Sequence, residues 1–267
     1  MQEDDIINYY KGDDIDNLSG KNIVVWFSCG AASAVAAKLT LMKYGHNNNV
    51  TIVNNPIKEE HEDNRRFLKD VEAWLGHEIQ FARNSKFPDQ SCKEVWDQRR
   101  FMSGPSGAPC TQQLKKRARQ EWESDKTIDF TVLGFTFEEK KRAARFKVME
   151  RSNLLPVLIH EEKTKQDCFD LLSADNITLP EIYKLGYPNA NCIGCVKASS
   201  PTYWNLVRKT FPKVYDDRAE QSRKIGARLV RYKGKRMFLD ELPESAKGRP
   251  LKNYHIECGI FCDENGQ

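Results

Sequence analysis

The chain has 267 residues, 39% apolar and 30% charged, and its 42 Lys and Arg residues against 38 Asp and Glu residues leave a formal net charge of +4. This composition excludes a wholly disordered chain and a collagen-like repeat, and the longest apolar runs are far shorter than the roughly 20 residues of a membrane-spanning helix. The first residues are acidic, where a secretory signal would be basic and then apolar. We therefore expect a cytoplasmic protein with no membrane segment.

Short apolar runs alternate with helical patterns along most of the chain. The predicted strands are residues 23–27, 50–53, 79–82, 130–133 and 155–159. The predicted helices are residues 31–44, 63–75, 114–123, 138–149 and 163–172. This alternation predicts an α/β fold, with a mostly parallel five-stranded sheet and helices on both of its faces. Ligands of such sheets bind beyond the carboxyl ends of the strands.

The character of the sequence changes near residue 186. A loop with proline and glycine leads into a basic helical region, a hairpin over residues 227–238, and a tail that carries two cysteines. We predict a polar N-terminal extension over residues 1–20 and an α/β domain over residues 21–185. The rest, residues 186–267, is predicted to be a cysteine-containing subdomain with helices and a hairpin.

A run of small residues follows the first predicted strand: Ser28, Cys29, Gly30, Ala31, Ala32 and Ser33. Small side chains let backbone N–H groups approach an anion, and the next helix adds about half a positive charge at its N-terminus. The run therefore predicts a phosphate or sulfate site, with a plain strand-to-helix turn as the alternative. It is not a Walker A loop, because the Gly-Lys-Ser/Thr ending is missing.

Eight cysteines stand out in a chain expected in a reducing compartment, where disulfides are rare. Cys168, in a predicted helix, is interpreted as a packing residue, and so is Cys92. Cys192 and Cys195 form a Cys-x-x-Cys pair that suits zinc or an iron–sulfur cluster, or a redox dithiol. Cys110 is a candidate for a further ligand.

Two cysteines close the sequence. Cys258 is followed by Gly259, and such a thiol on a tail can enter a site and act as a nucleophile. Cys262 lies four residues later. The alternatives are that this pair ligates a metal or that both thiols are incidental.

Taken in chain order, these elements resemble the sulfonucleotide reductases, the phosphoadenylylsulfate and adenylylsulfate reductases of the PP-loop superfamily. Residues 28–35 resemble the modified PP-loop, and residues 51–59 take the place of the second phosphate-side loop. Gly134 and Phe135 stand where the family has a Gly-Leu-Arg-Arg-Glu segment. Residues 257–260 match the C-terminal Glu-Cys-Gly-Ile/Leu signature.

The resemblance implies a reductase that binds an adenine sulfonucleotide in the PP-loop domain over residues 21–185. Cys258 would attack the sulfur, and a thioredoxin-like thiol donor would release sulfite. The implied nucleotide-binding residues are Ser28, Cys29, Gly30, Ala31, Ala32, Ser33, Asn54, Gly134 and Phe135. A [4Fe–4S] cluster, or zinc as the alternative, would be held by Cys110, Cys192, Cys195 and Cys262. A homo-oligomer is also expected.

Several positions depart from the reductase pattern. Pro109 stands where the first cysteine of a tandem pair would precede Cys110, and Phe261 stands where the family usually has histidine. Thr136 and Phe137 replace an arginine pair that would hold sulfate and phosphate. The cations available to compensate are Lys140, Lys141, Arg142 and Arg145.

Residues 108–115 are also similar to the Cys-Thr-x-x-Leu-Lys segment of PP-loop iron–sulfur proteins that install phosphorothioates in DNA. This resemblance implies an ATP-dependent sulfurtransferase that acts on nucleic acid. The basic region after residue 196, with Tyr203, Trp204, Phe211 and Tyr215 among its cations, would then face the polynucleotide, or else form a solvated helical face. A third interpretation is a nucleotide-binding regulator without activity.

Overall fold

The computed structural model describes residues 15, 17–105 and 107–251, which form two compact units. Unit 1 holds the chain up to Asn55 together with Asp63–Ala82 and Trp122–Pro180. Unit 2 holds Pro56–Glu62, Arg83–Glu121 and the described residues from Glu181 onward. Two segments that precede the predicted boundary near residue 186, Pro56–Glu62 and Arg83–Glu121, thus pack in the same unit as the described residues that follow it.

Unit 1 is built on a parallel sheet of four strands, β1 (Asn22–Phe27), β2 (Asn49–Asn54), β3 (Ile79–Phe81) and β4 (Phe130–Val132). Their order is β3-β2-β1-β4. This confirms the predicted α/β class. The strand order reverses direction between β1 and β4, and in open α/β sheets the ligand crevice lies at such a switch point.

The prediction of a fifth strand over residues 155–159 is wrong. Leu154 makes a single parallel bridge with Thr131, and the N–H of Leu155 donates to the carbonyl of Thr131 at 2.8 Å. The next donor that a parallel ladder would use, the N–H of Val157, donates instead to the carbonyl of Leu155 at 3.0 Å, and a short helix begins at Val157. The apolar run is short enough to suit either a strand or a buried helix, which periodicity cannot distinguish.

Ten α-helices lie in the described part of the chain. They are α1 (Ala31–Tyr44), α2 (Asn64–Leu75), α3 (Cys92–Arg99), α4 (Ala118–Glu123), α5 (Lys140–Met149), α6 (Val157–His160), α7 (Lys165–Ala174), α8 (Glu181–Lys184), α9 (Pro201–Thr210) and α10 (Pro212–Ile225). A π-helix, Thr111–Arg117, precedes α4, and 3₁₀ turns cover Phe137–Glu139 and Leu239–Glu241. None of the helices in the described residues combines the length and the apolar character that a membrane crossing requires.

The side chains of β1 alternate between two covered faces. Val25 and Phe27 point to the face where the apolar residues of α1 and α7 form the core of unit 1. Trp26 points the other way, and its ring meets that of Trp122 edge-on at 5.6 Å. Because both faces of β1 are buried, the strand is continuously apolar, as parallel strands usually are.

Unit 2 has its own core, in which α9 and α10 pack with α3 and the π-helix. Gly226, at a φ of 83°, ends α10 in the left-handed conformation. The predicted hairpin follows as β5 (Val230–Tyr232) and β6 (Lys235–Met237), which pair antiparallel. Its turn residues, Lys233 and Gly234, both have positive φ, as the favoured two-residue hairpin turn requires.

Candidate functional site

The turn between β1 and α1 is closed on itself by serine hydrogen bonds. The Oγ of Ser33 accepts from the N–H of Ser28 at 3.1 Å and donates to the carbonyl of Gly30 at 2.9 Å. Gly30 is the N-cap of α1 and has no side chain with which to cap it, and the first turn contains no acidic residue. The N-terminus of this 14-residue helix carries a partial positive charge with no acidic side chain in its first turn, an arrangement that suits an anion.

The loop after β4 reaches the same turn. A Cβ atom on Gly134 would lie 2.7 Å from the backbone nitrogen of Ser33 and 2.9 Å from its Cα. Only glycine fits this approach, which joins the two loops at the switch point of the sheet. The ring of Phe135 is buried against Phe146 at 5.5 Å, so the residue presents mainly its backbone here.

Asn54, at the end of β2, supports the turn from beneath. Its side chain is buried, and its Nδ2 donates to the carbonyl of Phe27 at 2.9 Å and to the Sγ of Cys29 at 3.4 Å. Cys29 adopts a positive φ of 56°, which is uncommon outside glycine. The structure thus brings the predicted nucleotide-binding residues of all three loops into unit 1.

The segment that replaces the arginine pair is organised by carboxylates. Thr136 and Glu139 form a capping box over the 3₁₀ turn. Glu139 also pairs with Arg142 at 2.6 Å, and the guanidinium of Arg142 stacks on the ring of Phe135 at 5.1 Å. Arg142 is thus held by neighbours within its own segment.

Four buried cysteines meet in unit 2. Cys92, Cys110, Cys192 and Cys195 line one small cavity, all as free thiols. Hydrogen bonds with the thiols of Cys110 and Cys192, together with burial, raise the pKa of the Cys92 thiol well above its ordinary value. The predicted ligands Cys110, Cys192 and Cys195 are therefore together, and Cys92, which the sequence assigned to packing, is their neighbour.

The donor chemistry of this cavity fits a thiolate-bound metal. In the described residues no group of three or more His, Cys, Asp or Glu side chains is already spaced around a metal position. The cavity nevertheless gathers four sulfurs with no carboxylate or imidazole in its lining, and the buried amine of Lys115 lines it as well. An all-thiolate set suits an iron–sulfur cluster or zinc, and a nearby cation favours thiolates.

Glu59 connects two of the cysteine-bearing segments. Its carboxylate accepts hydrogen bonds from the N–H of Cys92 at 2.8 Å, the N–H of Lys93 at 3.0 Å and the hydroxyl of Ser91 at 2.9 Å, so it caps α3. Its carbonyl accepts from the N–H of Ile193, inside the Cys-x-x-Cys loop, at 2.9 Å. These contacts are tertiary, and no local sequence motif indicates them.

The Cys-x-x-Cys loop needs the glycine at its centre. Gly194 has a φ of 65°, and a Cβ there would lie 3.2 Å from Cγ1 of Val214. The hydroxyl of Tyr203 accepts from the N–H of Cys195 at 2.8 Å and donates to the carbonyl of Cys192 at 3.4 Å. Burial raises the pKa of Tyr203 well above its ordinary value, so this hydroxyl stays a donor.

A buried arginine lies beside the same loop. Arg218 is 4% exposed, and its guanidinium stacks on the ring of Trp96 at 4.3 Å. Its Nε lies 3.6 Å from the position of a Cβ on Gly194. It donates to Gln221 at 2.8 Å, but within the described residues its Nε has no partner and no carboxylate pairs with it. Such a charge gains from an anionic neighbour.

The predicted nucleic-acid face of α9 and α10 is not built as expected. Tyr203, Trp204 and Tyr215 are buried, so their rings cannot stack on bases. Arg223 pairs with Asp240 and Glu241, both at 2.8 Å, in the 3₁₀ turn that follows the hairpin.

Cys168 lies in the core of unit 1, as predicted for a packing residue.

The predicted nucleophile Cys258 and the predicted ligand Cys262 lie outside the described residues. Cys92 was missed because it belongs to no cysteine motif. The available signal was Ser91 followed by Glu94, a capping pattern that places a helix N-terminus at Cys92.

No family model matches the chain, and no curated protein matches it. Among solved structures, the chain is similar to phosphoadenylyl-sulfate reductase from Candida auris in a phosphate complex, with 11% identity and a TM-score of 0.47, over 72% of this chain and 96% of that one. It is also similar to the U34-tRNA thiolase NcsA from Methanococcus maripaludis with its [4Fe-4S] cluster, with 14% identity and a TM-score of 0.48, over 99% of this chain and 86% of that one. At these identities the chemistry of this chain has to be inferred from its own residues.

Proposed function

We propose that the protein is a PP-loop enzyme of sulfur metabolism that reduces an adenine sulfonucleotide and carries a four-cysteine metal centre. The observation that carries the proposal is the convergence of Cys92, Cys110, Cys192 and Cys195 on one cavity. This set supplies four ligands without either tail cysteine. Cys258, in the reductase-like signature Glu-Cys-Gly-Ile, then remains available for catalysis.

The sulfonucleotide would bind in unit 1, at the edge where β1 and β4 end. The partial positive charge at the N-terminus of α1 and the small side chains from Ser28 to Ser33 suit the phosphate and sulfate groups. The close approach of Gly134 to Ser33 leaves backbone rather than side chains to border the adenosine. Asn54 holds the turn in place through its bond to the Phe27 carbonyl.

The four cysteines would hold a [4Fe–4S] cluster, with zinc as the alternative. A bound metal centre supplies a fixed charge and covalent links among the segments that bear the cysteines, and such binding energy adds to folding. Glu59 holds Cys92 and the Cys-x-x-Cys loop in register through backbone hydrogen bonds. Arg218 supplies a buried positive charge beside that loop.

The reaction itself asks for an in-line thiolate and for dipoles on the leaving phosphate. The thiolate of Cys258 attacks the sulfur, the S–O bond breaks, and the adenosine phosphate leaves from the N-terminus of α1. The enzyme keeps an S-sulfocysteine. An external dithiol of the thioredoxin type then attacks it, becomes a disulfide, and releases sulfite and the Cys258 thiol.

The test is turnover by anaerobically purified protein. We expect sulfite from phosphoadenylyl sulfate or adenylyl sulfate with a dithiol donor, and an S-sulfo adduct on Cys258 by mass spectrometry when the donor is withheld. Cys258→Ser should abolish both, whereas Cys262→Ser, four residues away, serves as the matched control. A Cys258→Ser protein that still forms sulfite would overturn the assignment.

A second candidate is an ATP-dependent sulfurtransferase with the same metal centre. The observation that favours it is the capping box of Thr136 and Glu139, since two arginines for sulfate are expected there in a reductase. ATP pyrophosphatase activity without turnover of either sulfonucleotide would select this candidate. Nucleotide binding without any turnover would select the inactive regulator.

A further inference from the structure

A cavity of about 490 Å³ lies in unit 2, and it shares no lining residue with the four-cysteine cavity. It is lined by the end of α3, the loop that follows, and the outer side of the π-helix. Its volume is within the range of roughly 300–1,000 Å³ that is typical of small-molecule sites. Nothing in the reductase proposal uses it.

The charge of this cavity is entirely positive. Arg99, Lys116 and Arg117 line it, and no carboxylate does. None of the three cations forms an ion pair with any described residue, although ion pairs are common elsewhere in the chain. Three unneutralised cations around one concavity attract a phosphate-bearing ligand.

An exposed aromatic ring forms another part of the lining. Phe101 is 41% exposed, a large exposure for this residue type. Its ring lies over Gly104, where a Cβ would come within 2.8 Å of the ring carbon Cζ. Gly104 and Gly107 exchange two backbone hydrogen bonds, at 3.0 and 2.9 Å, which close the loop under the ring. The ring is thus supported on one side and open on another.

The remaining polar lining consists of carboxamides, including those of Gln112 and Gln120. A carboxamide both donates and accepts hydrogen bonds, so it suits the edge of a nucleobase. A nucleotide is bound by cations at its phosphate, by hydrogen-bonding groups at the edge of its base and by an aromatic ring on the face of its base. This cavity contains all three kinds of group, and bases of any kind stack on aromatic rings.

We propose that this cavity binds a nucleotide, with its phosphate on Arg99, Lys116 and Arg117 and its base on Phe101. The ligand is either a free nucleotide or one unit of a single-stranded nucleic acid. The two share this chemistry, and the experiment distinguishes them. The proposal is independent of the sulfonucleotide site in unit 1 and stands or falls separately from the proposed reductase activity.

The experiment measures binding of a fluorescein-labelled single-stranded thymidine dodecamer by anisotropy and of thymidylate by calorimetry, both to the full chain. Thymine is used because the turn in unit 1 is expected to take adenine nucleotides. The variants are Phe101→Ala and the triple variant Arg99→Ala, Lys116→Ala, Arg117→Ala. A charge-matched control replaces three exposed lysines of α9 and α10, Lys209, Lys213 and Lys224, by alanine.

We expect Phe101→Ala to weaken binding on the order of 10-fold to 100-fold, as the loss of one base stack does. The triple variant should flatten the slope of log affinity against log salt by about 2, because each phosphate contact on a single strand contributes roughly 0.7. The control triple variant should bind like the parent. Circular dichroism and melting should match in all variants, since every replaced side chain is at least partly exposed.

Binding of the dodecamer alone would identify a polynucleotide as the ligand, and binding of thymidylate would identify a free nucleotide; in both cases the two cavity variants must lose it. The proposal is overturned if neither probe binds, or if the cavity variants bind as tightly as the parent. It is also overturned if the control variant, and not the cavity variants, loses binding.

Discussion

Replacing Gly134 by alanine tests whether the loops after β1 and β4 form one nucleotide site. The new Cβ would lie 2.7 Å from the nitrogen of Ser33 and 3.0 Å from the carbonyl carbon of Ala32. These are backbone atoms, so no side chain can rotate away. Reaching an ordinary separation of about 3.5 Å requires a backbone shift of roughly 3.5 − 2.7 = 0.8 Å in the turn between β1 and α1.

A shift of this size has two consequences. Overpacking of a filled site lowers the free energy of unfolding by about 1–3 kcal/mol, and misplacement of binding groups by about 1 Å costs roughly 100-fold in the reactions they serve. We therefore expect the affinity for adenylyl sulfate and for ATP to fall on the order of 10-fold to 100-fold. Calorimetric titration of both nucleotides measures this loss.

The matched control is Thr164→Ala. The hydroxyl of Thr164 accepts from the N–H of Asp167 at 3.1 Å and so caps α7, and loss of such a cap costs about 0.5–2 kcal/mol. The control is thus destabilised to a similar degree without a change in the turn, and it should bind nucleotide like the parent. If Gly134→Ala binds as tightly as the control, the two loops do not form one site.

Three further predictions concern cysteines and the buried arginine. Cys92→Ser should lose most of the bound iron or zinc by elemental analysis, whereas Cys262→Ser should keep it; the opposite result would restore Cys262 as the fourth ligand. Arg218→Met should raise the free energy of unfolding of the metal-free protein on the order of 1–4 kcal/mol, the gain typical when buried charged groups are replaced by apolar side chains of similar volume. It should retain metal less well by elemental analysis, and equal metal retention would contradict the proposed role of the charge. Burial raises the pKa of the Cys168 thiol from 9.0 to about 12. The unfolded chain therefore releases this proton first, and the free energy of unfolding should decline as the pH rises from 9 toward 12. Urea titrations of Cys168→Ala should show a shallower decline over this pH range.

The fold of unit 1 was largely predictable because its signals are local. Each of β1, β2, β3 and β4 was predicted from a short run with apolar residues that a helix follows, and the run of small residues from Ser28 onward marks the turn between β1 and α1. The predicted fifth strand ends at Leu155, because the N–H of Val157 donates to the carbonyl of Leu155 and a helix begins there. An apolar run shows that a segment is buried, but it does not show whether the backbone of that segment pairs with a neighbouring strand.

The cysteine cluster was predictable in part, because the Cys-x-x-Cys pair and Cys110 were already candidate ligands in the sequence. Cys92 has no motif of its own, and its place depends on tertiary packing of α3 under the carboxylate of Glu59. The basic region misled for a related reason. The many cations of this region suggested a face exposed to solvent or nucleic acid. Trp204 and Arg218 are buried because their sides of α9 and α10 pack against the core, which the number of cations does not show.

Unit 2 consists of three separate segments of the chain, so its four clustered cysteines are synthesised at different times. Cys92 and Cys110 leave the ribosome well before Cys192, which lies 192 − 110 = 82 residues after Cys110. The thiols of Cys92 and Cys110 must therefore stay reduced, without Cys192 and Cys195 beside them, while residues 122–180 of unit 1 are still being synthesised. The proposed metal centre would thus be completed only after the Cys-x-x-Cys loop has emerged, and the earlier thiols would have to be kept reduced until then.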